Sequence, residues 1–366
     1  MTFQKHEIME TEEKKLERRT ERAEEDTYLP VVLMVMDEGT KLTVEPHLRK
    51  FNSFGCKVIL REISENEDLT EVVDEGKRLI QKEAINAIIP MSDASCLVHS
   101  ALTEYFPHLR GPTFESVFLG FNKYYTKQLL GSEFCINSVP FLPREMSSKG
   151  MTSYEDLFKN FKMHMPLIIK PSSGTNSQGI KKVETFKELN DVLSGKSRDV
   201  NKEFRRFDGI LKSFLDLTKY PLATKDTYLI EQYVEHTRTP VTIHWVEACV
   251  FRGKFIPWVI GDNLYNHSHP ETVKGCRLPT SMDQSTQNNV WKVFQTAVEK
   301  QINFGFDDQF VNAEVFVFPN GSIKIMEVNP RMFGGSLKIS DGVFNHGSQI
   351  EASIQVNNYL LYDGVL

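Results

Sequence analysis

The chain has 366 residues, with 43 Lys and Arg against 49 Asp and Glu, a net charge of −6, 40% hydrophobic and 25% charged residues. At roughly 100–200 residues per domain this length holds two or three domains, and the apolar share is enough to bury a core, which excludes a chain disordered throughout. The acidic balance argues against nucleic acid as the main partner. The densest apolar run, 31–36, falls far short of the roughly 20 residues a membrane span needs. Charged residues at the N-terminus are the wrong composition for a signal peptide. Cys56, Cys96, Cys135, Cys249 and Cys276 are scattered with no CxxC pair. They fit reduced thiols in a cytosolic protein better than disulfides or a structural zinc site.

Residues 1–27 are dominated by charge, as in Glu12, Glu13, Lys14, Lys15, Glu17, Arg18 and Arg19. Little in them can pin a helix to a core, so they read as a solvated tail or as a helix that pairs with a partner or a second copy in a homodimer. From 28 to 140 strands alternate with helices. The apolar runs 31–36, 57–60 and 87–90 predict strands, and 42–54, 69–82 and 94–105 predict helices. That order implies a parallel sheet covered on both faces. Ligands at such sheets sit beyond the strand C-termini. Ser92 and Asp93, directly after the third strand, are therefore either a helix cap or a substrate-facing loop.

After 140 the texture changes, with strand-like segments at 166–170, 227–234, 241–250, 311–318 and 322–328 and a helix over 290–301. The segment 193–220 carries Lys196, Arg198, Lys202, Arg205, Arg206, Lys212 and Lys219. It reads as a solvated basic insertion, or as a lid that attracts an anion.

The spacing in 311–331 says most about chemistry. Asn320-Gly321 is a favoured two-residue hairpin turn. Counting back from it pairs Glu314 with Glu327 and Asn312 with Asn329, all on one face. Directly opposed side chains have Cβ atoms roughly 4.5–5.5 Å apart. Two carboxylates at that range either share a proton or are bridged by a hard cation. With Asn329 as a further oxygen donor, magnesium is the economical answer, and Phe316 and Ile325 on the same face suggest that it is covered. Arg331 could clamp a phosphate or carboxylate, and Gly334-Gly335 permits close backbone approach to a ligand.

Two softer elements precede the hairpin. A strand ends at Lys170 and runs into Pro171-Ser172-Ser173-Gly174-Thr175-Asn176-Ser177-Gln178-Gly179, a loop whose N–H and hydroxyl groups can cradle phosphate. Ile180 stands where a Walker loop needs lysine. Glu231 lies in the apolar strand Tyr228-Leu229-Ile230-Glu231-Gln232-Tyr233-Val234.

In this order the elements resemble the ATP-grasp superfamily, carboxylate–amine ligase type, the family of D-alanine–D-alanine ligase, biotin carboxylase and carnosine synthase. The resemblance covers roughly 87–360. Phe121-Asn122-Lys123 is similar to the Asp-Lys that opens the ATP-binding region, with Asn122 in place of the acid. The fold so implied is α/β, becoming α+β in the C-terminal half. An N-terminal parallel-sheet domain (28–140) would precede a two-lobed ATP-grasp region, the small lobe at 141–235 and the large lobe at 236–366.

By that resemblance Lys123 and Lys170 contact nucleotide phosphates, and Ser172, Ser173, Gly174, Ser177 and Gly179 close over them. Glu231 accepts from the adenine amino group, the backbone of Gln232 and Val234 reads the base edge, and Glu235 substitutes for a ribose-binding acid. Glu314, Glu327 and Asn329 hold Mg2+, with Mn2+ as an alternative. Arg331 and Lys170 steady the transferred phosphoryl group, while Lys274 and Arg277 recognise a substrate carboxylate. The partners implied are ATP and small-molecule carboxylate and amine substrates, with no nucleic acid and no membrane. The activity implied is carbon–nitrogen ligation through an acyl phosphate, with no cysteine or serine nucleophile. A phosphotransferase of the same fold and a non-catalytic ATP-binding module remain as alternatives. His267 and His269 lack a nearby third ligand and read as a solvated loop. His244 reads as a satisfied, half-buried histidine.

Overall fold

A computed structural model of the chain describes residues 30–38, 56–142, 162–174, 179–193, 202–236, 239–266 and 269–332. The tail over 1–27, the helix expected over 42–54, and Ser177, His267, Gly334 and Gly335 lie outside them, as do the side chains of His269 and Lys274.

Strands β1 (Val31–Asp37), β2 (Lys57–Ile63) and β3 (Ile85–Pro90) form a parallel sheet in the order β2-β1-β3. The central strand is apolar throughout because both its faces are covered. Val31, Leu33 and Val35 pack with helices α1 (Leu69–Glu83) and α2 (Asp93–Tyr105), while Val32, Met34 and Met36 meet Cys56, Ala87 and Ile89 on the other face. Ser92 caps α2 in a reciprocal box with Ser95. Helices α3 (Phe114–Phe121) and α4 (Lys123–Leu130) then lead to the second sheet, and Asn122 ends one and caps the other, its Oδ1 accepting from the Tyr125 N–H at 3.2 Å.

The second sheet is antiparallel, in the order β4 (Ser138–Phe141), β7 (Tyr228–Gln232), β5 (Leu167–Pro171), β6 (Lys181–Val183). It begins at Ser138, inside the range expected for the N-terminal domain. Helix α5 (Phe186–Leu193) covers it through Leu189. Helix α6 (Lys202–Phe214) corrects the reading of the basic insertion as a solvated surface. Its Phe207, Ile210 and Leu211 are buried in the core of the N-terminal sheet, and Arg206 reaches Asp37 at the end of β1, 2.9 Å away. Lys212, paired with Asp208, lies on the exposed face of this amphipathic helix.

The third sheet is also antiparallel. Its order is β10 (His269–Arg277), β9 (Lys254–Asn266), β8 (Thr242–Phe251), β11 (Gln309–Val317), β12 (Ile323–Asn329). One face packs Val246, Ala248, Val311, Ala313 and Val315 on helix α7 (Gln284–Ile302), through Val290, Phe294 and Val298. The other face carries Trp245, Glu314 and Glu327 in one cross-strand row. The stretch 262–281 lies largely on β9 and the edge strand β10.

Trp245 is fully buried opposite Gly261, and a Cβ at that glycine would overlap the indole ring. Gly261→Ala is therefore expected to lower stability by about 1–3 kcal/mol. Thermal unfolding followed by tryptophan fluorescence checks this, and an unchanged midpoint would mean that the ring yields freely. Among the described residues no helix is long and apolar enough to cross a membrane.

Candidate active site

A cleft of about 540 Å³ lies between the two antiparallel sheets. Its lining combines the apolar side chains of Ile136, Ile168, Ile180, Val234, Ile243, Phe316 and Met326 with the polar ones of Asp93, Lys123, Lys170, Glu231, Glu314, Glu327, Asn329 and Arg331.

The hairpin pairs Glu314 with Glu327 and Asn312 with Asn329, as the spacing predicts, but by a different route. The turn is Pro319-Asn320-Gly321, closed by Phe318 N–H to Ser322 O at 2.9 Å, with Gly321 in the left-handed region at φ 79°. Met326 is an extra residue on β12, and the register shifts there by one. A longer turn and a β-bulge cancel, so the acids still face each other. The bulge also changes the wall. Phe316 pairs with Lys324, Met326 lines the cleft, and Ile325, expected on that face, is buried in the α7-side core.

Burial and the charge of Glu327 push the Glu314 carboxyl up to about 7, against a hydrogen bond from Asn263 Nδ2 at 3.0 Å. Burial would raise Glu327 too, but Lys123, Lys170 and Arg331 outweigh it and hold that carboxyl below its usual range. Asn329 donates its Nδ2 to Asn312 Oδ1 at 3.0 Å and Glu327 Oε1 at 3.4 Å, which leaves its amide oxygen as a free acceptor. Two strained carboxylates and an amide oxygen suit a hard divalent cation. Among the described residues no group of three or more His, Cys, Asp or Glu side chains gathers. A cation here would complete its shell from water and phosphate.

Glu231 sits between two buried lysines, with Lys170 Nζ 2.9 Å from Oε2 and Lys127 Nζ 3.2 Å from Oε1. The strand places the carboxylate where the sequence predicts, but it is not an open acceptor. Burial would lower Lys170, yet Glu231 and Glu327 keep its ammonium above the usual range. Lys127 went unforeseen. It follows Lys123 by one helical turn on α4, a spacing that points both side chains the same way.

Lys123 donates from Nζ to Gly174 O at 2.9 Å and lies 3.8 Å from Glu327. The glycine loop is braced from below. Lys123 N–H reaches Ser172 O at 2.8 Å, and Asn122 Nδ2 donates to Ser173 Oγ at 3.0 Å. Ser172 and Ser173 are buried and do not line the cleft, whereas Gly174 does. The serines therefore anchor the loop rather than present hydroxyls to the cleft. Gly179, at φ 71°, lies at the loop's far end.

Arg331 faces the cleft, but its bidentate edge is engaged: Nε and Nη2 donate to the two oxygens of Asp93 at 2.7 and 3.0 Å. The bidentate edge expected to clamp an anion is thus taken by Asp93, which lines the cleft as well as opening a capped helix.

Residues 163–340, which carry the lysine, the glycine loop, Glu231 and the paired acids, match the ATP-grasp domain family. This stretch is an ATP-grasp domain. No curated protein matches the sequence. Among solved structures the chain resembles L-amino acid ligase from Bacillus licheniformis, with TM-score 0.62 and 15% identity over 91% of this chain and 76% of that one. Biotin carboxylase from Campylobacter jejuni gives TM-score 0.60 and 14% identity over 93% and 72%. VanG D-Ala:D-Ser ligase from Enterococcus faecalis gives 0.58 and 13% over 90% and 99%. Likeness at such identities is one of fold.

After β7, Tyr233, Val234 and His236 line the cleft and Glu235 does not. Glu235, expected as the ribose contact, thus lies outside the cleft lining, while His236 Nδ1 lies 3.2 Å from Val234 O. The Gln232 side chain turns away, bonding His164 N–H at 2.9 Å and Pro166 O at 3.2 Å, and its backbone N–H goes to Asn137 O at 3.1 Å.

Arg277 is corrected as well. It pairs in register with Asp262 and donates to it from Nε at 2.8 Å, on the α7 side of the sheet. Asp262 also takes Thr280 Oγ1 at 2.5 Å, Ser281 N–H at 3.0 Å and His244 Nδ1 at 2.9 Å. His244 is satisfied, as expected, but fully buried.

Burial raises Asp262, yet Thr280, Arg277 and Ser281 together hold it down, to about 2. A depressed acid stabilises the fold above its unfolded value of 3.8 and loses that as pH falls toward about 2. Asp262→Asn is expected to cost about 1–2 kcal/mol at neutral pH, with the difference vanishing near its folded pKa. Urea unfolding at both pH values checks this, and a pH-independent difference would contradict it.

Proposed function

We propose that the chain is an ATP-dependent carboxylate–amine ligase that joins small metabolites, amino acids or similar molecules, through an acyl phosphate. The observation that carries this is the opposed, half-buried Glu314–Glu327 pair with Lys123 and Arg331 beside it, lining a cleft whose walls also carry apolar side chains. The apolar side chains of the lining suit a flat base, and the charged ones suit a triphosphate. Glu314, Glu327 and Asn329 would hold Mg2+, or Mn2+ in its place. Bound there, the cation would draw the phosphoryl oxygens together and offset the charge that grows on them.

The chain's own groups then position the reaction. Lys123 and Lys170 neutralise the phosphates while an oxygen of the substrate carboxylate attacks the γ-phosphorus and ADP departs. Asp93 aims Arg331, whose remaining N–H groups face the transferred phosphoryl group and, in the second step, the oxyanion. The amine nitrogen attacks the acyl carbon, phosphate leaves with the C–O electron pair, and the amine's proton passes to solvent. Support for amino-acid-like substrates comes from two similar folds, named as an L-amino acid ligase and a D-Ala:D-Ser ligase.

A matrix of acids and amines, read as phosphate release and product mass, tests this. The ligase requires both substrates and yields an amide. ADP release with the acid alone would make the protein a phosphotransferase. ATP binding without turnover across a broad panel would make it a binding module.

A further inference from the structure

Glu231 has two ammonium partners where charge balance needs one. The carboxylate is 4% exposed, and its partners Lys170 and Lys127 are 4% and 7% exposed. Lys170 is drawn by Glu327 as well as by Glu231, whereas Lys127 pairs with Glu231, and a second buried cation beside that carboxylate is unfavourable unless both are used. Their surroundings divide the roles. Lys170 lines the cleft; Lys127 does not, and approaches Glu231 from α4, behind it. Lys127 Nζ and Glu231 Oε1, although 3.2 Å apart, are both buried without a hydrogen bond. Lys170 Nζ is the nearer of the two, 2.9 Å from Oε2.

We infer that Lys127 is the standing counterion of Glu231, keeping that carboxylate ionised and in place when Lys170 turns from it to the phosphates of ATP. This rests on the nucleotide function proposed above. In the free protein both lysines neutralise Glu231, and one of them is enough for charge balance. Once Lys170 Nζ exchanges Oε2 for a phosphate oxygen, Glu231 without Lys127 would be a lone buried carboxylate, and it would take up a proton. With Lys127 present it stays charged, and the vacated Oε2 accepts a hydrogen from the base's amino group. Lys127 is thus a positioning residue that acts through Glu231 and touches neither phosphate nor base.

The test compares Lys127→Met and Lys127→Arg with the wild type, reading the thermal midpoint without nucleotide and the Kd for MgATP by calorimetry. Lys127→Met is expected to keep a near-wild-type midpoint but weaken MgATP at least about tenfold, equivalent to about 1.4 kcal/mol. Lys127→Arg restores affinity. In a Glu231→Gln background, where no charge remains to be balanced, Lys127→Met changes Kd little. An unchanged Kd in Lys127→Met overturns the inference, whatever the midpoint does. So does a Lys127→Met chain that fails to fold, because Lys127 would then be needed before ATP arrives. A wild type that binds no MgATP overturns the proposed function itself, and the inference with it.

Discussion

Glu327→Gln is expected to lower turnover by at least about 10²–10³-fold, the scale of losing a charge-stabilising group in the site, while leaving the thermal midpoint unchanged. The second half of this expectation follows from the pair. Glu314 and Glu327 repel, and Glu314 is pushed up to about 7 partly by its neighbour's charge. With Glu327 neutral, Glu314 ionises more readily and inherits part of the attraction of Lys170 and Arg331. One carboxylate is lost to the cation but little is lost to the fold. Steady-state turnover and a melting curve on the same preparation check both. Near-normal turnover would remove the acids from the chemistry, and a large fall in midpoint would mean that Glu327 is a structural anchor.

Asp93→Asn should produce the second large effect. The Asp93–Arg331 pair is bidentate and mostly shielded, the side chains being 8% and 17% exposed. Removing one charge of a buried pair leaves the other uncompensated, at about 3 kcal/mol. Ser92, not Asp93, caps α2, so the helix itself keeps its start. Arg331 then loses its orientation, and misplacement of a catalytic group on the order of 1 Å costs about 10²-fold in rate. The expected split is a fall in kcat with little change in KM for ATP, accompanied by the loss in unfolding free energy. Wild-type kcat in a destabilised Asp93→Asn would show that Arg331 serves only to tie the N-terminal sheet to the ATP-grasp domain.

The hairpin shows both the reach and the limit of sequence reasoning. Turn residues and period-two alternation brought Glu314 opposite Glu327 because both are local rules. They could not reveal that a three-residue turn and the Met326 bulge offset each other, since neither alters composition. Arg277 failed for a related reason: its side of β10 depends on the register with Asp262 across β9, a pairing that polar, edge-strand residues do not announce. Lys127 was missed, and Asp93 was left open between a helix cap and a substrate-facing loop, because each matters through a distant partner, Glu231 and Arg331 respectively, which only the packing of helix on sheet brings near. Phe207, Ile210 and Leu211, by contrast, carried a readable helical stripe beneath the basic residues of α6. Charge count obscured it.

Binding of ATP with and without magnesium tests the central claim most directly. For the wild type, calorimetric affinity is expected to fall at least about tenfold when the metal is chelated, and in a Glu314→Gln, Glu327→Gln double variant affinity should be weak and indifferent to the metal. Equal ATP affinity of the wild type in chelator and in magnesium would contradict a cation held between the two acids.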